Sequence, residues 1–338
     1  MLAVMILHIA CMGFHELDGS SLEWQILNFY DGIVRWGVPV FVMISGTLFL
    51  SKDINKFHIY IYIYKLSICY IVWSIFYALA IPFIKYIVNP EYIISYQKVI
   101  AHIITGAFHM WFIPMIIGLY MIIPLLKPIT KDKDLTEYFL VLSFIFAFIF
   151  PQIVHLFEDF SGGLLLLGIQ RINKVILTMN MHFVLGFSFY FVLGYYLNTY
   201  EVRLEMRKKL YLLGILGFFL TVFLNAIIAW KTGVPTGKYF GNHTVNVALE
   251  AISIFIVFKY SKFENYHRNN FIVKISKYTF GAYWIHIFVR DGIHFIGINN
   301  LLISPLIAVP LMSCAVICIS FACSFLLNKN SFANKWLV

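Results

Sequence analysis

The stretch LLISPLIAVPLMSCAVICISFACSFLL, residues 301–327, decides the fold class of this chain. It contains no Asp, Glu, Lys or Arg. A helix needs about 20 consecutive apolar residues to cross a hydrocarbon core about 30 Å thick, and a helix that is apolar on every side has no water-facing surface. The stretch therefore predicts a membrane-spanning helix.

Nine further apolar stretches precede it. Together they predict an all-α integral membrane protein, a bundle of about ten transmembrane helices that forms a single membrane-embedded domain over residues 1–338. The predicted spans are 1–14, 33–50, 59–84, 108–126, 135–154, 180–197, 210–230, 244–259, 278–296 and 301–327. A weaker amphipathic stretch, 92–107, is predicted to lie in the interface or to re-enter the membrane.

The composition excludes the soluble classes. Of the 338 residues, 61% are hydrophobic and 12% charged, and the mean hydropathy is +0.83, whereas soluble proteins are about 45–50% apolar and about 25% charged. The five cysteines fall in apolar stretches, without a C-x-x-C pair or paired histidines. The sequence therefore predicts neither a disulfide framework nor a metal site.

The net charge of +9 is explained by basic residues whose distribution indicates the orientation of the chain in the membrane. Sixteen of the 25 Lys and Arg residues fall in loops or at span ends on the side of the N-terminus, six fall in the opposite loops, and three lie deeper within spans. Because cytoplasmic loops carry the excess of basic residues, we predict that both termini are cytoplasmic. The charge then gives no reason to expect a nucleic-acid partner.

The first span is short. Residues 1–13 as a helix cover about 20 Å, which leaves it about 10 Å short of a bilayer core, and no basic residue precedes it. We therefore expect a truncated first helix, whose cytoplasmic start with a Lys or Arg is encoded upstream.

Two ionisable residues in the membrane are the first site candidates, because a charge at mid-bilayer costs about 2.5–3.5 kcal/mol on insertion scales. A neutral imidazole at His8 is a suitable general base for acyl transfer, or else an interfacial histidine bonded to a carbonyl. Arg35 can clamp an anion or stabilise an oxyanion, or else its guanidinium snorkels to the interface.

Near the centre of its span, Glu250 shares a helix face with Asn246 and Ser253. Glu250 and Asn246 are candidates to bind substrate along a polar path through the bundle. Glu250 is also a candidate to pair with Arg35 or Lys65, and a purely structural buried pair is an open alternative.

Aromatic and imidazole side chains mark a further candidate site at the start of the fourth predicted span. His109 and Trp111 are suited to bind a sugar face, with Tyr120 deeper in the span, although Trp111 also fits an interfacial aromatic belt. His286 and Asp291 match an H-x-x-x-x-D pattern. Because five helical positions place two side chains about 140° apart, we interpret this match as chance.

Several blocks, in chain order, resemble those of acyltransferase family 3. They are LHI at 7–9, RWGVPVFVMISGTL at 35–48, HMWF at 109–112 with IGLYMIIPLL at 117–126, LGYY at 193–196, and ISKYTFGAYWIH at 275–286. The similarity extends over nearly the whole chain and is greatest to the branch of bacterial surface-polysaccharide O-acyltransferases. The blocks at 35–48 and 109–126 are the most specific.

This resemblance implies ten helices in a bacterial inner (plasma) membrane and a definite activity. It implies transfer of an acyl group, usually acetyl, from cytosolic acyl-CoA to a hydroxyl of a surface glycan or lipid-linked sugar, with no bound cofactor. It also implies that His8 is catalytic and that Arg35 contributes to the site. In this reading His109, Trp111, Tyr120, Asn246, Glu250 and His286 are candidates to bind substrate. A transporter or flippase for a lipid-linked sugar would use the same residues without chemistry.

Overall fold

A computed structural model describes residues 1–52, 56–161, 163–179, 186–261 and 271–337. Over these residues the chain is helical and contains no strand. The helices are α1 (Leu2–Ala10), α2 (Leu22–Gly32), α3 (Gly37–Leu50), α4 (Lys56–Val88), α5 (Tyr96–Thr105), α6 (Phe112–Lys131), α7 (Lys133–Phe144), α8 (Phe150–Phe160), α9 (Gly163–Thr178), α10 (Phe187–Thr199), α11 (Leu204–Thr232), α12 (Val245–Tyr260), α13 (Phe271–Ser276), α14 (Thr279–Phe295), α15 (Pro305–Lys329) and α16 (Ser331–Trp336). A 3₁₀ turn, Phe108–Trp111, precedes α6, and a π-helical turn, Ile145–Ile149, joins α7 to α8.

The described part of the chain has seven segments that are long and apolar enough to cross a membrane. They are Leu22–Leu50, Phe57–Val88, Tyr96–Lys131, Lys133–Phe160, Leu204–Thr232, Lys238–Tyr260 and Pro305–Lys329. The outer faces of these helices expose large apolar side chains, such as Leu212, Phe223 and Trp230 on α11, as a lipid-facing surface requires. The prediction of an all-α integral membrane protein is confirmed.

Helices also occupy the three other predicted spans, but they are shorter. α1 has 9 residues, α10 has 13 and α14 has 17. The first helix ends at Ala10, whereas the sequence predicted a span to residue 14, because a turn begins at Cys11. Residues 180–185 of the predicted span 180–197 lie outside the described residues.

The structure contains a helix, α2, where the sequence predicted only an outer loop. Ser21 caps its N-terminus, because the Ser21 hydroxyl accepts a hydrogen bond from the N–H of Trp24 at 3.2 Å, a common way to start a helix. One face of α2, with Trp24, Leu27 and Asp31, is buried. The second predicted span thus begins too late. α9 was likewise not predicted.

Two glycines allow α3 and α10 to pack backbone to backbone. A Cβ atom at Gly46 would overlap the backbone of Phe191, and a Cβ at Gly194 would overlap the backbone of Met43. The hydroxyl of Thr47 donates to the carbonyl oxygen of Gly194 at 2.9 Å. Small residues permit this close approach between membrane helices, and the pair forms the centre of the largest buried cluster.

We expect Gly46→Ala to lower the free energy of unfolding by about 3 kcal/mol, the upper end of the usual cost of overpacking, because backbone atoms cannot move aside as a side chain can. Thermal unfolding of the detergent-solubilised protein measures this loss. The matched control is Gly118→Ala in α6, where an added Cβ meets nothing within 4 Å. Equal melting temperatures for the two variants would contradict the close packing of α3 on α10.

Candidate functional site

Three histidines from distant parts of the sequence meet in the bundle. His8 lies in the last turn of α1, His109 in the 3₁₀ turn before α6, and His286 near the middle of α14. The ring centroids of His8 and His286 are 5.3 Å apart, and those of His109 and His286 are 5.2 Å apart. The structure therefore brings together three of the residues that the sequence singled out.

His286 has a defined tautomer in this geometry. Its Nδ1 lies 2.6 Å from the carbonyl oxygen of Tyr283, one turn earlier in α14. Because a carbonyl only accepts, Nδ1 carries the proton and Nε2 of the neutral ring keeps a lone pair. This Nε2 is buried and has no hydrogen-bond partner among the described residues, so it is free to accept a proton or a hydrogen bond.

The imidazole of His8 is the most accessible of the three. Its side chain is partly exposed, whereas His109 is 2% and His286 0% exposed. Among the described residues, no protein group forms a hydrogen bond with the His8 ring. Phe108 presents its ring edge to His8 at 5.4 Å between centroids. His8 is therefore the histidine whose ring nitrogens a substrate hydroxyl can reach most readily.

Aromatic side chains enclose the two inner histidines. The Tyr283 hydroxyl donates to the carbonyl oxygen of His109 at 3.0 Å, and the Tyr77 hydroxyl donates to the carbonyl oxygen of Trp284 at 2.6 Å. The Tyr77 ring lies 5.2 Å from that of His109. These contacts fix α4 and α14 around the cluster and exclude water from it, which strengthens electrostatic interactions inside.

Arg290 anchors the end of α1 on α14. Its Nη1 donates to the carbonyl oxygen of His8 at 3.4 Å, and a cation is favourable at the C-terminus of a helix. Its Nε donates to Asp291 Oδ1 at 2.8 Å. Asp291 thus pairs with Arg290, and the structure shows no bond between Asp291 and His286.

The second cluster surrounds Arg35, just before α3. The guanidinium forms an ion pair with Asp31, which is 1% exposed. The thiol of Cys11 donates to Asp31 Oδ2 at 3.3 Å, and the guanidinium carbon of Arg35 lies 4.2 Å from the ring centroid of Phe240. Since Cys11 follows His8 by one turn, Arg35 lies on the same side of α1 as the histidine cluster.

Asp31 was not predicted as a site residue, because residues 15–32 lie between the first two predicted spans and were expected to form an outer loop. Its position four residues before Arg35 is the one signal that could have found it, because i and i+4 residues face each other on a helix. The alternative that Glu250 pairs with Arg35 or Lys65 is not what the structure shows. The carboxylate that pairs with Arg35 comes from the neighbouring turn.

Glu250 belongs to a buried polar network between α11 and α12. Its Oε1 lies 2.5 Å from the hydroxyl of Thr221, which also accepts a hydrogen bond from Asn246 Nδ2 at 2.7 Å. Gln152 Nε2 donates to Asn246 Oδ1 at 3.3 Å. The second carboxyl oxygen of Glu250 is buried and has no partner in the described structure. Asn246 and Glu250 therefore do share a face.

The two remaining candidates lie in different surroundings. Tyr120 is buried in the core, where its ring centroid is 4.2 Å from that of Phe49. Trp111 is 42% exposed and packs against Phe187 at 5.7 Å. Neither residue is in contact with His8. Among the described residues, no group of three or more His, Cys, Asp and Glu side chains is arranged to hold a metal ion.

Comparison with known proteins gives one match. The family model of acyltransferase family 3, described as an acyltransferase domain, matches residues 1–328. No curated protein and no solved structure matches the chain. The match covers every element that contributes to the two clusters around His8 and Arg35.

Proposed function

Because the chain belongs to acyltransferase family 3, a family of membrane acyltransferases, we propose that it is an O-acyltransferase that uses His8 as its base. The proposed reaction moves an acetyl group from cytosolic acetyl-CoA to a hydroxyl of a cell-surface or lipid-linked glycan. The observation that supports it most directly is the His8 imidazole, which is partly exposed and bonded to no protein group of the described chain. A neutral imidazole in such a position is able to take a proton from an alcohol.

In the proposed step, His8 acts first as a base and then as an acid. A ring nitrogen of His8 takes the proton of the acceptor hydroxyl while its oxygen attacks the carbonyl carbon of the thioester. The tetrahedral intermediate then loses the C–S bond, and the leaving CoA thiolate takes the proton from His8. The products are an O-acyl ester and CoA. His286, with its ring centroid 5.3 Å away, is the nearest group to orient the His8 ring and to stabilise the imidazolium.

Arg35 supplies the positive charge in this proposal. Its guanidinium is fixed by Asp31 and by the Phe240 ring at 4.2 Å, so it does not have to reorganise when negative charge develops on the thioester oxygen. Such preorganised donors are a large part of catalysis at acyl centres. The Nε of Arg35 is buried and has no partner in the described structure, which leaves one donor for a substrate.

The remaining candidates receive binding roles. Glu250 offers a buried acceptor to a glycan hydroxyl, since one of its carboxyl oxygens is unpartnered in the described structure, and Asn246 positions this carboxylate through Thr221. Trp111, which is 42% exposed, is the candidate to stack on a sugar face, and His109 lies beside His286 on the buried side of the histidine cluster. The packing of Tyr120 against Phe49 favours a supporting role for this residue. We place the protein in a bacterial inner membrane with both termini in the cytoplasm, which puts His8 in the outer half.

The proposal is tested with the purified protein in lipid nanodiscs. It is supplied with acetyl-CoA labelled in the acetyl group and with surface glycan from cells that lack the gene, and alkali-labile acetyl esters on the glycan are counted. We expect label on the glycan, and fewer acetyl esters on the surface of cells without the gene. Unlabelled glycan, together with acetyl-CoA-independent movement of a lipid-linked sugar across vesicles, would instead identify a transporter.

A further inference from the structure

The last helix folds back into the bundle. After α15 ends at Lys329, Asn330 reverses the chain, and its Oδ1 accepts hydrogen bonds from the N–H groups of Phe332 and Ala333. The segment Ser331–Leu337, which we call the strap, then packs against α4, and Ala333 is only 5% exposed. The strap therefore covers part of α4 instead of extending away from the bundle.

Two side chains of α4 bind the backbone of the strap. The thiol of Cys69 donates to the carbonyl oxygen of Trp336 at 3.1 Å, and the indole N–H of Trp73 donates to the carbonyl oxygen of Leu337 at 3.1 Å. Cys69 and Trp73 are buried. Because they are one turn apart, the two donors are about 6 Å from each other along α4. The slot between them accepts a chain with two amide carbonyls.

Aromatic side chains connect this slot to the histidine cluster. The indoles of Trp73 and Trp284 are stacked in parallel with centroids 5.9 Å apart. Tyr77, one turn beyond Trp73, donates to the backbone of Trp284 and contacts the His109 ring at 5.2 Å. Cys69 and Tyr77 are about 12 Å apart along the helix, which is shorter than an extended pantetheine arm.

We infer that the slot formed by Cys69 and Trp73 binds the pantetheine arm of the acyl-CoA donor, and that the strap occupies it as an autoinhibitory contact. This inference rests on the proposed function. The arm contains two amide groups separated by a β-alanine spacer, so its carbonyls can replace those of Trp336 and Leu337. Its apolar remainder can pack against the aromatic side chains beside the slot, and the thioester at its end then reaches the histidines.

Lysine side chains at this end of the bundle suit the phosphate groups of the acyl-CoA donor. Lys277 precedes α14 and Lys329 ends α15, and both side chains are exposed. The hydroxyl of Ser324 donates to the carbonyl oxygen of Tyr278 at 2.8 Å, so the start of α14 lies beside the end of α15. Ammonium groups here can hold the phosphates of CoA outside the slot.

The test measures how fast N-ethylmaleimide labels Cys69 in the full chain, by peptide mass spectrometry, relative to complete labelling of the same protein unfolded in sodium dodecyl sulfate. Ala333→Asp places a carboxylate where the strap is buried, and we expect it to raise the labelling rate of Cys69 about tenfold or more, which is a shift of about 1.4 kcal/mol or more. Asn334→Asp adds the same charge at the exposed neighbouring position and should leave the rate unchanged. Trp73→Phe keeps a ring but removes the indole donor, and should raise the rate without a charge.

Acetyl-CoA is then added to the Ala333→Asp protein. We expect it to return the Cys69 labelling to the slow rate, whereas adenosine 3′,5′-bisphosphate, which lacks the arm, should not. Equal labelling rates of Cys69 in the Ala333→Asp and Asn334→Asp proteins would contradict the inference that the strap occupies the slot. If acetyl-CoA does not protect Cys69, the inference that the slot binds the donor is wrong. Protection without acetyl transfer to any glycan would support the slot and count against the proposed function, so the two failures are distinguishable.

Discussion

His8→Ala is expected to lower the rate of acetyl transfer about 10²–10⁴-fold, the usual effect of losing a general base. The structure gives a reason to expect the upper part of this range. His109 and His286 are buried, and Nδ1 of His286 is bound to its own helix at 2.6 Å from the carbonyl oxygen of Tyr283. Neither ring is free to move into the place of His8. Transfer of labelled acetyl from acetyl-CoA to glycan measures the loss.

The control for this variant is the amount of protein in the membrane. The side chain of His8 is only partly buried and makes no hydrogen bond to the described chain, so its removal should leave the folded amount unchanged. His8→Gln, which keeps a polar side chain of similar size but cannot act as a base, should be as inactive as His8→Ala. Comparable glycan acetylation in either variant and the parent would remove His8 from the mechanism.

Arg35→Lys is expected to fail nearly as completely as Arg35→Ala, with a loss of about 10²–10³-fold in turnover. An ammonium lacks the planar fork of a guanidinium, so when it pairs with Asp31 its remaining donors are not held in the direction that the guanidinium fixes. The pair with the buried carboxylate of Asp31 disfavours a side chain that simply snorkels to the interface. Turnover at saturating acetyl-CoA is the measurement.

Folding must be separated from chemistry in this experiment, because removing one partner of a buried ion pair costs about 3–5 kcal/mol. The double variant Asp31→Asn with Arg35→Gln replaces both charges with neutral amides of similar shape. We expect it to restore the folded amount but not the activity. An active Arg35→Lys protein at normal abundance would instead assign Arg35 to anchoring.

The helix period predicted which candidate residues share a helix face, but the sequence did not reveal which residues from different helices meet. The spacing of Asn246 and Glu250 on one face follows from the helix period, and both do contact Thr221. The ion-pair partner of Arg35 could not be predicted from the sequence, because the residues of α2 were interpreted as a loop and Asp31 as an exposed residue. Hydropathy could not distinguish an outer loop from a short helix whose buried face includes an aspartate.

The sequence by itself determined that this chain is an α-helical membrane protein and where most of its helices lie, because a bilayer imposes a local requirement of about 20 apolar residues in a row. It also identified His8, His109 and His286 as unusual residues for such a setting. Only the tertiary structure decided that these three meet, that Asp31 holds Arg35, and that the strap covers Cys69 and Trp73. In a bilayer an apolar side chain can face either lipid or another helix, so hydrophobicity does not select which helices become neighbours. That selection depends on close packing between residues far apart in sequence. A hydropathy pattern does not contain this information.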